Sequence, residues 1–295
     1  MRLLFALAVC VMAMCGTAGV PSLDPVSRMR SGWWRDRHAD RLACAKKGPH
    51  PVVFLGDSIT HNWESLGLRA WNRFFANPPY SALNLGFGGD RTEHVLWRIT
   101  EGGELDGFEA KAVVLMIGTN NNGHRGEKEE TTIDTLLGVR AILREVRARQ
   151  PKAVIVLHPI FPRGKTKDDP VRRRNARVNK ELRKLADGRS VIWCDFNDRL
   201  LTADGRLAHE MASDALHPGL WGYEIWASEL LPILNGILRG DGYLVPGRFA
   251  ASVDADDVDL GQDPESASVS RVNGEKYVDS AMFVAKNTVC KVAQQ

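Results

Sequence analysis

The sequence predicts an α/β protein, a three-layer α/β/α sandwich around a five-stranded parallel sheet. Two observations predict it. Short apolar runs rich in Val, Ile and Leu alternate with longer stretches whose apolar residues recur at helical spacing. The residues able to do chemistry fall just after those runs, where open parallel sheets bind ligands. The first run, Pro51 to Leu55, leads into Gly56-Asp57-Ser58. The second, Ala82 to Leu85, runs into Gly86-Phe87-Gly88-Gly89-Asp90, and the third, Ala112 to Ile117, into Gly118-Thr119-Asn120-Asn121. Ala153 to Leu157 and Ser190 to Cys194 complete the five. Between them, Leu136, Val139, Leu143 and Val146 mark one helix before Pro151, and Val171, Val178, Leu182 and Leu185 mark another before Gly188. Trp221, Ile225, Leu231, Leu234 and Leu238 mark the last. Strands alternating with helices imply a parallel sheet covered on both faces.

Composition narrows the function. The 295 residues are 44% hydrophobic and 25% charged, which suits one ordinary core with an appendage. A net charge of +3 is too small to argue for nucleic acid, and no zinc-knuckle or RNA-recognition pattern is present. Arg2 precedes an unbroken apolar run from Leu3 to Cys15 and the small residues Gly16-Thr17-Ala18-Gly19, the pattern of an export signal. A run of 13 residues falls short of the roughly 20 that a spanning helix needs. Val9 and Met14 are poor residues to precede a lipidated cysteine. The expected organisation is a signal peptide over 1–18, one folded domain over 24–240 and a C-terminal extension over 241–295. The mature chain is expected to be secreted or periplasmic, without stable membrane insertion. It keeps Cys44, Cys194 and Cys290, an odd number. Cys194 reads as a core thiol, and a Cys44–Cys290 bridge stays open.

Each motif has a plain structural reading. Gly-Asp-Ser can cap a helix, the glycines can permit a tight turn, Asn can tolerate the left-handed region, and Asp214-Ala215-Leu216-His217-Pro218 can be a surface loop. Their order along one α/β pattern favours chemistry instead. Together they supply a nucleophile, a base with an orienting carboxylate, and oxyanion donors, the parts that acyl transfer needs.

These stretches, with the long block Asn84 to Arg98, Phe161-Pro162-Arg163-Gly164 and Asp214 to Tyr223, resemble the SGNH or GDSL hydrolases. Within them the chain is similar to the catalytic subunits of the platelet-activating-factor acetylhydrolases. Ile59 replaces the family's Leu, and the segment after Leu238 has no counterpart in the pattern. The resemblance implies a flavodoxin-like fold, with Ser58 as nucleophile, His217 as base and Asp214 holding its imidazole. It implies an oxyanion hole made by the N–H of Ser58, the N–H of Gly89 and the side-chain amide of Asn120. It also implies pairing of two copies as a homodimer, and it calls for no cofactor and no metal.

The remaining residues keep plainer readings. His94 and Trp97 lie at helical spacing and read as packing, and Asp90 and Arg91 as braces for the glycine loop. His61, His158 and His209 show no metal-ligand spacing. The segment Arg163 to Arg189 carries 11 basic against four acidic residues, usually a solvated face, and Arg163 to Pro170 is expected to form a mobile rim that attracts acidic substrates. The tail from Asp241 reverses the sign, with five basic and nine acidic residues, and supports no choice of structure. Ile59, Thr119 and Leu216 are expected to wall a small acyl pocket that favours acetyl. Export then points to an acylated polysaccharide or small molecule as substrate, with a phospholipid-type ester as the alternative. A glycan-binding protein on a hydrolase scaffold is the third reading, disfavoured because binding alone needs no Ser58, Asn120, Asp214 and His217 together.

Overall fold

The computed structural model describes residues 20–240. The expected leader, the extension over 241–295 and Cys290 lie outside the described residues. The strands are β1 (Val52–Gly56), β2 (Leu83–Gly86), β3 (Ala112–Met116), β4 (Val154–Leu157) and β5 (Val191–Trp193). All pair in parallel in one sheet of order β2-β1-β3-β4-β5. Each falls within one or two residues of its apolar run. The helices are α1 (Gly32–Ala45), α2 (Ser58–His61), α3 (Leu68–Phe74), α4 (Thr92–Ile99), α5 (Thr119–His124), α6 (Thr132–Arg149), α7 (Pro170–Leu182) and α8 (Leu220–Arg239).

Alternation along the strands builds two cores. Val53, Leu55, Val113, Leu115, Ile155 and Leu157 face α1, α4, α6 and α7, where they meet Val95, Val139, Ile142 and Val178. Phe54, Val114, Met116, Val156 and Ile192 face the other way, onto Trp63, Tyr223 and Trp226. The sheet is therefore the middle of three layers. Helix starts follow local chemistry. Thr131 Oγ1 accepts from the Asp134 N–H at 3.2 Å and Asp134 accepts from the Thr131 N–H at 2.7 Å, a capping box that opens α6. Asp169 accepts from the Arg172 N–H at 3.0 Å while Pro170 takes the first helical position of α7.

The helical stripes differ from expectation in two places. Helix α8 buries Tyr223, Trp226, Ala227, Leu230 and Leu234, whereas Trp221 is 55% exposed. The sheet face beneath α8 is filled by large aromatics, so the buried stripe runs through Tyr223 and Trp226 and leaves Trp221 outside it. In α7 the basic run is only partly solvated: Arg174 is buried and donates to the carbonyls of Asn122 and Arg125, each at 2.8 Å, and of Glu130 at 2.6 Å. Asn122 and Arg125 close the last turn of α5 and Glu130 lies in the loop after it, where no further helical turn supplies donors. Cys194 is buried, which pushes its thiol up to about 12 and makes it a core residue, and Cys44 is buried in the opposite core. Among the described residues no helix is long and apolar enough to cross a membrane.

Candidate active site

The strand order reverses between β1 and β3, the switch point beyond whose carboxyl ends open parallel sheets bind ligands. Ser58 lies there, the first residue of α2 directly after β1. Asp57 closes the turn by accepting from the Ile59 N–H at 2.9 Å, so the N–H of Ser58 starts a helix and has no acceptor within it. Helix α2 lies so close to β2 that a Cβ on Gly86 would come within 2.1 Å of the His61 nitrogen. Only glycine permits that approach.

The base comes from the far end of the domain. His217 Nε2 lies 2.9 Å from Ser58 Oγ, and His217 Nδ1 lies 2.6 Å from Asp214 Oδ2. The second carboxylate oxygen of Asp214 accepts from the N–H groups of Leu216 at 2.9 Å and His217 at 2.7 Å. Ala215 bridges the two residues in the left-handed region, at φ 58°, which folds the three-residue spacing into a turn tight enough for both side chains to meet. Partial burial works to raise the Asp214 carboxyl, but the bonds from His217 and Leu216 outweigh it and hold it at about 2. Asp214 thus stays ionised throughout the neutral range. Asp57, one residue from Ser58, behaves in the opposite sense: complete burial pushes its carboxyl up to about 7.

In the loop after β2, Gly89 sits at φ +71°, where a side chain would be strained. Asn120 begins α5 and donates through Nδ2 to the Asp90 carbonyl at 2.9 Å, leaving its second amide proton for another acceptor. Its neighbour Asn121 points away, donating to Thr92 Oγ1 at 2.8 Å and Glu130 at 2.7 Å. The structure joins Ser58, His217 and Asp214 in one hydrogen-bonded chain, ties Asn120 to the backbone of Asp90 next to Gly89, and separates Asn120 from the structural Asn121. Among the described residues no group of three or more His, Cys, Asp or Glu is arranged to hold a metal ion.

Other expectations divide. Arg91 offers its backbone N–H to His94 Nδ1 at 2.9 Å, and burial holds the His94 imidazole at about 2, neutral inside the helix start. Trp97 packs on Trp34 and His38. Ile59 and Thr119, expected to wall an acyl pocket, are each 1% exposed and belong to the packing beneath the site; the Tyr223 hydroxyl donates to the Ile59 carbonyl at 2.6 Å. The rim at Arg163 is tied down on both sides. Arg163 Nη1 donates to the carbonyl and hydroxyl oxygens of Thr119, each at 3.3 Å, and the Gly164 N–H donates to the Ala215 carbonyl at 2.8 Å.

Residues 54–225 match the family model described as the GDSL-like lipase/acylhydrolase family. The chain belongs to this family. It is a carboxylic ester hydrolase, in keeping with its relatives. The platelet-activating factor acetylhydrolase IB subunit alpha1 of Bos taurus is 36% identical over 211 residues, covering 71% of this chain and 86% of that protein. The alpha2 subunit of Rattus norvegicus is 35% identical over 195 residues, covering 65% and 78%. In fold, the chain is similar to a GDSL-like lipase from Bacteroides thetaiotaomicron with a TM-score of 0.54 at 16% identity, over 67% of this chain and 97% of that one. The family match begins after Arg28, Trp33 and Trp34, yet all three reach the glycine loop. Arg28 Nη1 donates to the Gly88 carbonyl at 2.8 Å, Trp34 Nε1 donates to Asp90 Oδ1 at 2.9 Å, and the Trp33 ring edge is 3.7 Å from where a Gly88 Cβ would sit. Sequence reading missed them because they lie 55 or more residues from the residues they contact, with Arg28 ahead of α1 and the two tryptophans in its first turn, where no apolar stripe announces the helix.

Proposed function

We propose that this member of the family is a secreted serine esterase that hydrolyses short-chain O-esters, acetyl above all, through Ser58, His217 and Asp214. One observation carries the reading: the unbroken relay from Ser58 Oγ to His217 at 2.9 Å and from His217 to Asp214 at 2.6 Å. Ser58 Oγ attacks the ester carbonyl while His217 Nε2 takes its proton. The ionised Asp214 holds the tautomer and stabilises the imidazolium. The tetrahedral oxyanion is held by the N–H of Ser58, the N–H of Gly89 and the free amide proton of Asn120. Collapse expels the alcohol, protonated by His217, and leaves an acyl-Ser58 ester. Water, activated by the same imidazole, then releases the acid and restores the serine.

The acetyl preference draws on the similar relatives, which are acetylhydrolases. Their name also favours a second reading of the alcohol, a phospholipid-type ester. The apolar run behind Arg2 favours export, and with it an acetylated carbohydrate. Hydrolysis of p-nitrophenyl acetate, butyrate and octanoate, beside a Ser58→Ala protein, tests the reaction; a preference for octanoate would refute the short-acyl reading. Acetate release from acetylated xylan against release from an acetylated ether phospholipid then decides the alcohol. Light scattering of the mature chain tests the expected homodimer.

A further inference from the structure

We propose that the buried Asp90–Arg98 pair is the positioning element that sets the spacing of all three oxyanion donors, an inference that rests on the oxyanion assignment above. Arg98 in α4 has no exposed surface, so it touches neither substrate nor solvent. Its guanidinium instead reaches in several directions at once. Nε donates to Asp90 Oδ2 at 2.9 Å, Nη1 to the Leu85 carbonyl at 3.1 Å and to Glu104 at 2.5 Å, and Nη2 to the Gly56 carbonyl at 3.1 Å. Gly56 ends β1 two residues before Ser58, and Leu85 lies in β2 four residues before Gly89. One side chain thus ties together the two strand ends whose loops present two of the donors. Asp90 reaches the third: it follows Gly89, and its carbonyl accepts the Asn120 amide at 2.9 Å.

The carboxylate of Asp90 is fixed in turn. Trp34 Nε1 donates to it at 2.9 Å and Arg28 Nη1 at 3.1 Å, while the Phe87 ring covers Arg98 with its centroid 4.0 Å from the guanidinium carbon. Packing alone gives little reason for such a pair, since buried ion pairs are often matched in stability by apolar residues of similar volume. Geometry gives a reason. Oxyanion donors act only when held within about 0.5 Å of the developing charge before the reaction begins. Lysine carries the same charge but lacks the planar fork that spans two carbonyls and a carboxylate together.

The test is steady-state hydrolysis of p-nitrophenyl acetate by Arg98→Lys, Arg98→Met and Arg28→Gln proteins, with thermal melting and inhibition by phenylboronic acid, whose serine adduct is tetrahedral. Arg98→Lys is expected to fold and to lose up to about 10²-fold in kcat, the scale of one lost donor, with KM within about twofold. Boronate affinity should weaken in step with kcat. The acid limb of the pH profile should not move, because Arg98 contacts neither Asp214 nor His217. Arg28→Gln, a change at a partly exposed residue, is expected to lose less, and it carries the test alone should both Arg98 variants fail to fold. A folded Arg98→Lys protein with unchanged kcat and boronate affinity overturns the proposal, as does an unchanged Arg28→Gln protein if it stands alone. Ser58→Ala and Asn120→Ala proteins run alongside: full activity in either would overturn the site assignment and this inference with it, whereas loss in both with no effect at Arg98 would overturn the inference only.

Discussion

The proposed oxyanion side of the site is buried in the domain, whereas the proposed base side stands on an exposed loop: Asp90 and Arg98 have no exposed side-chain surface, and Asp214 keeps 52% of its own in solvent. The first side is built on the ends of β1, β2 and β3 and held by a charged network. The second is a single turn between Ala212 and Pro218, closed by Asp214 bonding its own backbone and by the Gly164 N–H on the Ala215 carbonyl. The division follows the chemistry. Donors that meet a transient charge must be fixed in advance, while a base that exchanges protons twice in each turnover needs an ionised partner and access to water.

Five substitutions probe that contrast. The largest effect is expected on the exposed side, from Asp214→Asn. The amide keeps the shape of the turn but cannot hold the same imidazole tautomer or stabilise its charged form. A loss of about 10⁴ in kcat is expected, read by steady-state kinetics, with a modest fall in melting temperature at neutral pH because the ionised carboxylate no longer holds Leu216 and His217. Next comes Asn120→Ala on the buried side, expected to cost about 10²–10³ in kcat. Asn121→Ala should lower thermal stability instead, because Asn121 serves Thr92 and Glu130. Equal kinetic losses at the two asparagines would erase the distinction between them.

The third prediction sets the two carboxylates against each other through pH. The folded-state value of Asp57 is about 7 against an ordinary 3.8, so its contribution to stability is fully present below about pH 4 and is lost as pH rises through 7. Asp214, held at about 2, contributes above about pH 4 and loses that contribution as pH falls through 2. Asp57→Asn preserves the acceptor for the Ile59 N–H and removes the titration. The melting temperature of the wild type should therefore fall more steeply between pH 5 and pH 8 than that of the variant, and parallel curves would refute the burial argument. The smallest effect belongs to Ala215→Gly. Glycine takes φ 58° without strain, so chemical denaturation should show a gain of up to about 1 kcal/mol, while a more flexible turn lowers kcat slightly.

The apolar runs by themselves determined five parallel strands, because a strand buried on both faces admits few polar residues and so announces itself locally. The motifs likewise announced Ser58, Asp214 and His217, which hydrogen bonds join in the structure, since each owes its position to a turn or helix start a few residues long. Tertiary structure alone decided the rest. It tied Asn120 to the glycine loop through the Asp90 carbonyl and Asn121 to Thr92 and Glu130, put Ile59 and Thr119 in the packing beneath the site, and drew Arg28, Trp34 and Arg98 onto the glycine loop. Local periodicity reports which face of an element is apolar. It does not report which distant charge will be buried against that face, because such a partner is chosen by the three-dimensional meeting of strand ends.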